Sequence, residues 1–159
     1  MLTNEKEITD FDEIDRVLGS SRVCRIALLD GGRPYIVPLL FGYNLDGGKL
    51  ELFFRCEEKG KKLELIKSNN CAGFEIDKLY DIVKSEKFSG FSAPFYCSIT
   101  GTGIIEVTNG IEKITGLEFI MKKYGEFTDN AKIPEQLFNS IAVLKLTAGE
   151  FCCKEHKAD

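Results

Sequence analysis

Residues 23–54 read VCRIALLDGGRPYIVPLLFGYNLDGGKLELFF, and the fold prediction begins with this segment. Its apolar runs are separated by Asp30-Gly31-Gly32 and Asp46-Gly47-Gly48, which supply the positive φ angles of tight hairpin turns. The pattern predicts a meander of three strands, over residues 23–29, about 34–43 and 50–54.

Helical patterns flank and interrupt this meander. The sequence Thr9-Asp10-Phe11-Asp12 is typical of a capping box, and apolar residues follow it at helical spacing. A short amphipathic run follows the third strand, and a longer one ends at Gly125, a residue type that commonly terminates helices. The sequence therefore predicts three helices, over about residues 9–19, 59–67 and 111–124.

The rest of the chain predicts more strands. The charged segment 78–92 is expected to be an irregular loop, and Gly101 and Gly103 indicate a bulge or a close backbone approach. Further strands are predicted over residues 72–77, 95–107 and 141–146, and an extension of the last strand to Cys152 stays open. Strands joined mostly by tight turns favour a mainly β fold with some α, a six-stranded antiparallel barrel with peripheral helices. We expect one domain over residues 1–159, with a charged tail from about residue 151.

Composition narrows the functional classes. Of the 159 residues, 43% are hydrophobic and 29% charged, as in ordinary globular proteins. The formal net charge of −4 and the sequence pI near 5.2 disfavour a nucleic-acid partner. No apolar stretch approaches the ~20 residues that cross a bilayer, and the polar first residues lack the pattern of a secretory signal. We expect a cytoplasmic protein with no membrane partner, whose six cysteines stay reduced.

A metal site is not expected. Cys152, Cys153 and His156 are candidate ligands, but structural zinc sites usually take four spaced ligands. His156 is the only histidine and lies in the predicted tail, no Gly-x-Ser-x-Gly elbow occurs, and no glycine-rich nucleotide loop is present. These features disfavour the common hydrolase and nucleoside triphosphatase classes.

The densest cationic cluster is Lys59-Gly60-Lys61-Lys62, at the predicted start of the second helix. Free N–H groups and lysine charges at a helix N-terminus can hold a phosphate, and Arg55 at the preceding strand end points to the same region. Lysines at this position are electrostatically unfavourable without an anion, which favours a site. The alternative is that they only make the helix soluble, and the spacing alone leaves both interpretations open.

Pro38 lies in the middle of the segment Tyr35-Ile36-Val37-Pro38-Leu39-Leu40-Phe41-Gly42-Tyr43, within the second predicted strand. Proline cannot donate to a sheet ladder, so the ladder is expected to break there. A planar apolar ligand lying against this strand would be able to use the freed backbone groups. An edge strand with a packed proline is the alternative, and it also stays open.

Four motifs in this order resemble those of one known family: Val23-Cys24-Arg25-Ile26-Ala27, residues 34–43, Leu52-Phe53-Phe54 and Gly60-Lys61-Lys62-Leu63. Over about residues 7–150 the chain resembles the pyridoxamine 5'-phosphate oxidase-like FMN-binding split barrels. Within that superfamily it is most similar to the nitroimidazole-resistance (Nim-type) proteins.

The resemblance implies a homodimer with two FMN sites at the subunit interface and a small-molecule substrate. Residues 37–40 would lie along the flavin ring and the ribityl chain. Lys61 and Lys62 would hold the phosphate, and Ser98 would contact the flavin from the partner subunit. The implied cofactor-binding residues are Val37, Pro38, Leu39, Leu40, Phe54, Arg55, Gly60, Lys61, Lys62 and Ser98.

Two positions depart from the Nim-type pattern. Arg55 stands where these proteins usually carry a histidine near the flavin, and Cys97 stands where an arginine is common. A guanidinium does not donate a proton at neutral pH, although it can stabilise reduced anionic flavin or bind an acidic substrate. Arg55 is therefore the one catalytic candidate.

Three functional hypotheses follow. The first is an FMN-dependent oxidoreductase that transfers hydride or electrons to a small molecule, with Nim-like nitroreductase activity as one form. The second is a non-catalytic module that binds flavin or haem, and the third is a structural domain without a ligand. Pyridoxamine phosphate oxidase activity itself is not expected, because the sequence ends in Cys152-Cys153-Lys154-Glu155-His156-Lys157-Ala158-Asp159 without that enzyme's extended substrate-binding segment.

Overall fold

The computed structural model describes residues 5–84, 92–125 and 133–156, and these contain seven strands and four helices. The strands are β1 (Glu5–Ile8), β2 (Val23–Asp30), β3 (Arg33–Asp46), β4 (Lys49–Glu57), β5 (Cys71–Lys84), β6 (Ser92–Val107) and β7 (Ile141–His156). The helices are α1 (Phe11–Ser20), α2 (Lys61–Ser68), α3 (Gly110–Tyr124) and α4 (Glu135–Ser140).

The described strands belong to one antiparallel sheet, in the order β1-β7-β4-β3-β2-β5-β6. Because β6 also pairs with β7, the strands β2 to β7 close into a ring. The short strand β1 pairs with the end of β7 and lies outside this ring. The structure confirms the predicted mainly β, antiparallel fold and adds one strand to the six predicted.

The core fills the inside of the ring, because alternate residues of each strand point inward. On β2, Cys24, Ile26 and Leu28 are at most 2% exposed, while the residues between them face outward. Burial of each large apolar side chain contributes roughly 1.5–3 kcal/mol. Fully buried side chains from the other strands of the ring include Phe41, Phe54, Ile76, Ile99 and Leu144.

The predicted glycine turns are confirmed. Gly31 and Gly32 have φ angles of 56° and 83°, in the region that favours glycine, and they connect β2 to β3 with Asp30 opposite Arg33. Gly125 has a φ of 71° and ends α3 in the left-handed conformation. Local turn chemistry thus sets the ends of these elements.

Two segments predicted to be irregular are strands in the structure. Residues 78–84 continue β5 and pair with β6, with a register shift between Leu79 and Asp81, while residues 85–91 of the predicted loop lie outside the described residues. Residues 151–156 form the end of β7, so the prediction of a tail is wrong there. Both segments are rich in charged residues and lack the clear apolar alternation from which strands are predicted.

Gly101 and Gly103 confirm the predicted bulge and close approach. The register between β6 and β7 shifts between Thr102 and Gly103, and a Cβ on Gly103 would lie 2.2 Å from the carbonyl oxygen of Thr147. A Cβ on Gly101 would lie 2.5 Å from the carbonyl oxygen of Glu150. Any larger residue at either position would therefore push β7 away.

Helix α3 packs against the outside of β3, β4 and β7. Gly42 permits a close approach, because an added Cβ would lie 2.4 Å from the backbone nitrogen of Ile120. Nearby, the rings of Phe53 and Phe119 stack with their centroids 5.3 Å apart. The helix therefore covers the outer surface of β4 and the second half of β3.

Gly42→Ala is expected to lower the free energy of unfolding by about 1–3 kcal/mol, because α3 must shift to admit the methyl group. Gly73→Ala is the matched control, since its nearest new contact would be the Cβ of Ala27 at an ordinary 3.7 Å. Urea unfolding of both variants measures the difference. Equal stabilities for the two would contradict the close packing of α3 on β3.

The remaining outer surface of the ring stays largely open in the described chain. We call it the outer face; it consists of the outward sides of β2, the first half of β3, β5 and β6. Leu29, Ile36, Leu40 and Ile104 expose 49%, 63%, 46% and 42% of their surfaces on it. Several exposed apolar side chains on one face are typical of an interaction surface.

The cysteines form no disulfide within the described chain, and Cys24, Cys97 and Cys153 are buried. Burial raises the pKa of Cys24 and of Cys153 to about 12, which keeps both protonated and unreactive at neutral pH. Separately, none of the described helices combines the length and apolarity that a membrane span requires.

Candidate functional site

Strand β3 changes partners halfway along its length. Residues 33–40 pair with β2, whereas residues 41–46 pair with β4. Strand β4 continues past the last shared pair, Phe41–Phe54, and its residues 55–57 pair with β7. The two strands therefore separate, and among the described residues no strand pairs with this edge of residues 33–40. We call the space between them the strand cleft.

Pro38 lies on this open stretch of β3. Its register with Arg25 of β2 continues without a shift, so the predicted break of the ladder is wrong on that side. The pairing that stops is the one with β4, on the opposite edge. A proline is tolerated at such a position because an unpaired edge needs no N–H donor.

Side chains along the open stretch alternate between the core and the solvent. Val37 and Leu39 are half-buried and pack against the core, whereas Ile36, Pro38 and Leu40 are exposed. The outward residues give the strand cleft an apolar lip. Predicted cofactor contacts from Val37 and Leu39 would therefore come mainly from their backbone.

On the β4 side, the predicted site residues Phe54 and Arg55 differ in their surroundings. Phe54 is fully buried in the core, so its side chain is not available to a ligand. Arg55 is exposed. One step beyond the Phe41–Phe54 pair, Arg55 would face Leu40 across the point where the strands separate. A positive charge therefore marks the closed end of the strand cleft.

Lys61 lies at the open end of the strand cleft, where α2 begins. It forms an ion pair with Asp30 of the β2–β3 hairpin, and its Nζ lies 5.2 Å from the centre of the Tyr35 ring. The hydrogen bond with Asp30 raises the pKa of Lys61. Lys61 is therefore directed towards β2 and β3.

Lys62 lies near β4 instead. Burial raises the pKa of the Cys56 thiol, and the nearby Lys62 ammonium opposes this shift. Lys61 therefore contacts β3, whereas Lys62 is within electrostatic range of β4, and the two lysines occupy the first two positions of α2.

The start of α2 suits an anion. Gly60 is the N-cap with a φ of 131°, and no side chain caps the helix. A Cβ on Gly60 would meet nothing within 4 Å, so the space beside the first turn is open. Backbone N–H groups and the ammonium groups of Lys61 and Lys62 together form a donor set typical of phosphate sites.

These groups follow one another along the strand cleft. Arg55 and Leu40 mark the closed end, and Tyr35 and Lys61 mark the mouth. Leu40 and Tyr35 are five residues apart on β3, which corresponds to roughly 17 Å. The arrangement suits an elongated ligand with a planar ring at one end and a phosphate at the other.

Ser98 is not brought to the strand cleft within one chain. It lies on the outward side of β6, in register with Asp77 of β5 and Lys154 of β7. Three strand spacings, roughly 14 Å, separate β6 from β3. The neighbouring Cys97 is 2% exposed and faces the core. The predicted contact from Ser98 therefore requires a second subunit.

Two wide clefts open on the outer face rather than at the lysines. One, of about 940 Å³, is lined mostly by small and apolar residues of β2, β5, β6 and β7. The other, of about 590 Å³, lies beside Ile36 and Arg25. There, Arg25 Nη1 contacts Glu75 Oε2 at 2.9 Å and Asp77 Oδ1 at 2.5 Å. The apolar patch is thus bordered by a compact ionic cluster.

Residues 152–156 form no metal site. Cys153 is 1% exposed and faces inward, whereas the adjacent Cys152 projects outward from the strand. His156 stacks on Tyr96 with the ring centroids 5.4 Å apart, and its Nδ1 is buried without a hydrogen-bond partner in the described chain. Within the ranges that the structure describes, no three potential ligands cluster.

Sequence reasoning missed Asp30 and Tyr35, the contacts of Lys61. The signal was available in the meander itself: β4 runs back towards the β2–β3 hairpin, so a helix that follows β4 begins beside that hairpin. Cys56 was missed because a single thiol in a strand carries no motif.

An antiparallel sheet that closes on itself, with a cleft where β3 leaves β4, defines a protein of the split-barrel class. A family model described as pyridoxamine 5'-phosphate oxidase matches residues 10–154, and the chain belongs to that family. No curated protein matches the chain significantly.

Solved structures agree with this assignment. A candidate 5-nitroimidazole antibiotic resistance protein from Bacteroides thetaiotaomicron is 22% identical with a TM-score of 0.78, covering 95% of this chain and 87% of the other. The FAD and haem binding protein from Mycobacterium smegmatis is 20% identical with a TM-score of 0.81, and the match covers 96% of this chain and 74% of the other. A flavocytochrome from Azotobacter vinelandii is 15% identical with a TM-score of 0.76, and the match covers 95% of this chain and 69% of the other. The predicted superfamily is thereby confirmed.

Proposed function

We propose that the strand cleft binds FMN, with the phosphate at the start of α2 and the ring along β3. The observation that supports this best is the order of groups: Lys61 and Lys62 flank an uncapped helix N-terminus at one end, and Ile36 and Leu40 form an apolar lip towards the other. Two of the similar structures are named for flavin chemistry, as an FAD-binding protein and a flavocytochrome.

The residues present fit this cofactor. The space beside Gly60 is open, and a phosphate dianion there would meet two ammonium groups and free backbone N–H groups. The unpaired edge of residues 33–40 would offer backbone N–H and C=O groups to the polar rim of the flavin ring. The exposed Pro38 and Leu40 would contact its apolar surface.

We further propose that the protein is a homodimer joined through the outer face. Leu29, Ile36 and Ile104 would become buried there, and such a two-fold interface uses the same patch on both subunits. Ser98, which cannot reach the strand cleft of its own chain, would then contact the flavin held by the other subunit. Each FMN site would contain residues of both chains.

The reaction that we propose is an FMN-dependent oxidation or reduction of a small molecule. Bound FMN supplies hydride and electron transfer, and the protein contributes position and electrostatic field. Arg55 would favour negative charge on the nearby flavin or bind an anionic substrate, but its guanidinium would not deliver a proton. Nitroheterocycles are the substrate class suggested by the nitroimidazole-resistance relative.

An absorbance spectrum of the purified protein tests the proposal. Flavin bands that bleach on anaerobic addition of NADH or NADPH, and return with a nitroaromatic acceptor, are the expected result. A protein that stays colourless after reconstitution with FMN would refute the cofactor assignment. Flavin that binds but is not reduced by either nucleotide would refute a nicotinamide-driven reaction while leaving flavin binding intact.

The second candidate is a non-catalytic module for flavin or haem, which the haem-binding protein and the flavocytochrome among the similar structures favour. The same spectrum distinguishes it. A Soret band would identify haem, whereas flavin bands without turnover would identify a flavin-binding module.

Arg55→His is expected to lower the reduction potential of bound FMN at pH 8. The guanidinium stabilises the negative charge that flavin gains on reduction, whereas an imidazole at this pH is mostly neutral. At pH 6, where an imidazole is largely charged, the potentials of the variant and the wild type should approach each other. Potentiometric titration at both pH values measures the effect.

Arg16→His on α1 is the control for this substitution, because Arg16 has a side chain 73% exposed and lies on a helix distant in sequence from the strand cleft. It should leave the potential unchanged at both pH values. Matching potentials for Arg55→His and the wild type throughout would remove Arg55 from the flavin site.

A further inference from the structure

Asp30 holds one of the two lysines assigned to the phosphate. Its carboxylate pairs with the Nζ of Lys61 across the gap between the β2–β3 hairpin and the start of α2. The Lys61 side chain is 52% exposed and that of Asp30 is 40% exposed, so both remain accessible to solvent and to a ligand. The lysine at the mouth of the strand cleft therefore already has an anionic partner.

The contribution of the Asp30–Lys61 ion pair to the stability of the fold is too small to explain why the pair is present. An ion pair between two exposed side chains adds little stability, because each group is well solvated when apart and loses side-chain freedom when paired. The Asp30–Lys61 pair does, however, alter the field that an anion meets at α2. Opposite charges partly cancel at the mouth of the strand cleft, where a phosphate needs positive charge.

We infer that Asp30 is an internal competitor for Lys61, displaced when a phosphorylated ligand enters the strand cleft, and that it thereby sets the affinity for phosphorylated over unphosphorylated flavin. The inference rests on the proposed FMN site. A phosphate bound at Gly60 would attract the Lys61 ammonium and repel the Asp30 carboxylate. Part of the binding energy would then be spent in separating the pair.

Unphosphorylated flavin provides the internal reference. Riboflavin has the same ring and ribityl chain as FMN but lacks the phosphate, so it would leave the Asp30–Lys61 pair intact. A substitution at Asp30 should therefore change the affinity for FMN and not that for riboflavin. An effect on the hairpin as a whole would change both affinities, because β3 borders the ring.

The test compares the wild type with Asp30→Asn, a change that preserves shape and suits the tight hairpin turn. Dissociation constants for FMN and riboflavin are measured on the apo-protein by flavin fluorescence quenching. We expect FMN to bind roughly three- to tenfold more tightly, since the Lys61 ammonium is no longer held by a carboxylate and can pair with the phosphate, and riboflavin to be unchanged. Unchanged or weaker FMN binding, or an equal gain for both ligands, would overturn the inference.

Asp46→Asn is the matched control. Asp46 precedes the equivalent Gly47-Gly48 turn at the far end of β3. Asp30 is level with Arg33, so Asp46 lies roughly 44 Å from it along the strand direction, and its substitution removes the same charge at a distance. It should leave FMN affinity unchanged, and a gain equal to that of Asp30→Asn would overturn the inference.

A double-mutant comparison with Lys61→Met completes the experiment. In the Lys61→Met background, Asp30→Asn should raise the affinity for FMN less than in the wild type, or not at all. The lysine for which the Asp30 carboxylate and the phosphate compete is then absent. A gain as large as in the wild type would show that Asp30 acts without Lys61 and overturn the inference. A wild-type protein that binds neither FMN nor riboflavin would refute the proposed function itself, a result distinct from each of these.

Discussion

Replacing both Lys61 and Lys62 by alanine is expected to weaken FMN binding by roughly a hundredfold or more. Each ammonium would make a charge-assisted contact with the phosphate worth about 1.5–3 kcal/mol, or about tenfold or more in affinity. The two lysines are adjacent on α2 and would share the same phosphate, so the double variant removes all the ammonium charge at the start of this helix, and its loss should exceed that of either single variant. Titration of apo-protein with FMN, followed by fluorescence quenching, measures the loss.

Lys67→Ala is the control for the double variant. Lys67 belongs to the same helix but lies in its last turn, away from the uncapped N-terminus. It should leave FMN affinity within about twofold, since exposed charges distant from a site contribute little. FMN affinity that is unchanged in the double variant would place the phosphate elsewhere on the chain.

The turns were the most predictable part of the fold. Asp-Gly-Gly sequences require positive φ angles, and Gly31 and Gly32 adopt them, so the meander of β2, β3 and β4 follows from local chemistry. Gly125 ends α3 for the same reason. These predictions succeeded because each depends on a conformation that few residue types can adopt.

The strands that pair without a clear apolar pattern were not predictable in the same way. Glu5–Ile8 is a four-residue polar strand, stabilised by pairing with the end of β7. Residues 78–82 have no continuous buried face. In both segments the backbone partner decides the structure, and the partner lies far away in sequence.

For the candidate site, the sequence located the charges but not their partners. The cluster at Gly60, Lys61 and Lys62 could be identified because it begins a predicted helix. The contact of Lys61 with Asp30 depends on a turn about 30 residues earlier in the chain, which only the three-dimensional meander brings close. The open edge of β3 likewise requires knowledge of where β4 stops pairing.

Ile36→Glu is expected to convert the proposed dimer into a monomer. Ile36 is 63% exposed in a single chain and projects from the middle of the outer face, in register with Ala27 of β2. In a two-fold interface the substitution places two carboxylates in an apolar contact, and each unpaired buried charge costs about 3–5 kcal/mol. The dissociation constant of the dimer should therefore rise by more than about two orders of magnitude. Sedimentation equilibrium at micromolar concentration measures it.

Ile111→Glu is the control for this variant. Ile111 is even more exposed, at 83%, but it lies on the first turn of α3 and not on the outer face. A glutamate near a helix N-terminus is favourable, so the control should fold normally and sediment as the wild type does. If both Ile36→Glu and Ile111→Glu lost the dimer, the added charge itself would be the cause, and the result would contradict an interface at the outer face.

FMN binding by a monomer decides whether the site is shared. Because Ile36 belongs to the apolar lip of the strand cleft, the variant for this test is Ile104→Glu, which changes the outer face on β6, away from that lip. Ser98 lies roughly three strand spacings from the strand cleft of its own chain, so a monomer would keep the lysines and the open edge of β3 and lose the contact from the other subunit. The phosphate contacts alone should then hold FMN more weakly, and the flavin ring should be more accessible to solvent and more fluorescent. Because Ile104 is exposed and its substitution leaves the core untouched, thermal unfolding of the apo-monomer should show a single cooperative transition. A folded monomer that binds FMN with wild-type affinity would show that one chain forms the complete site, and the proposed exchange of Ser98 between subunits would be wrong.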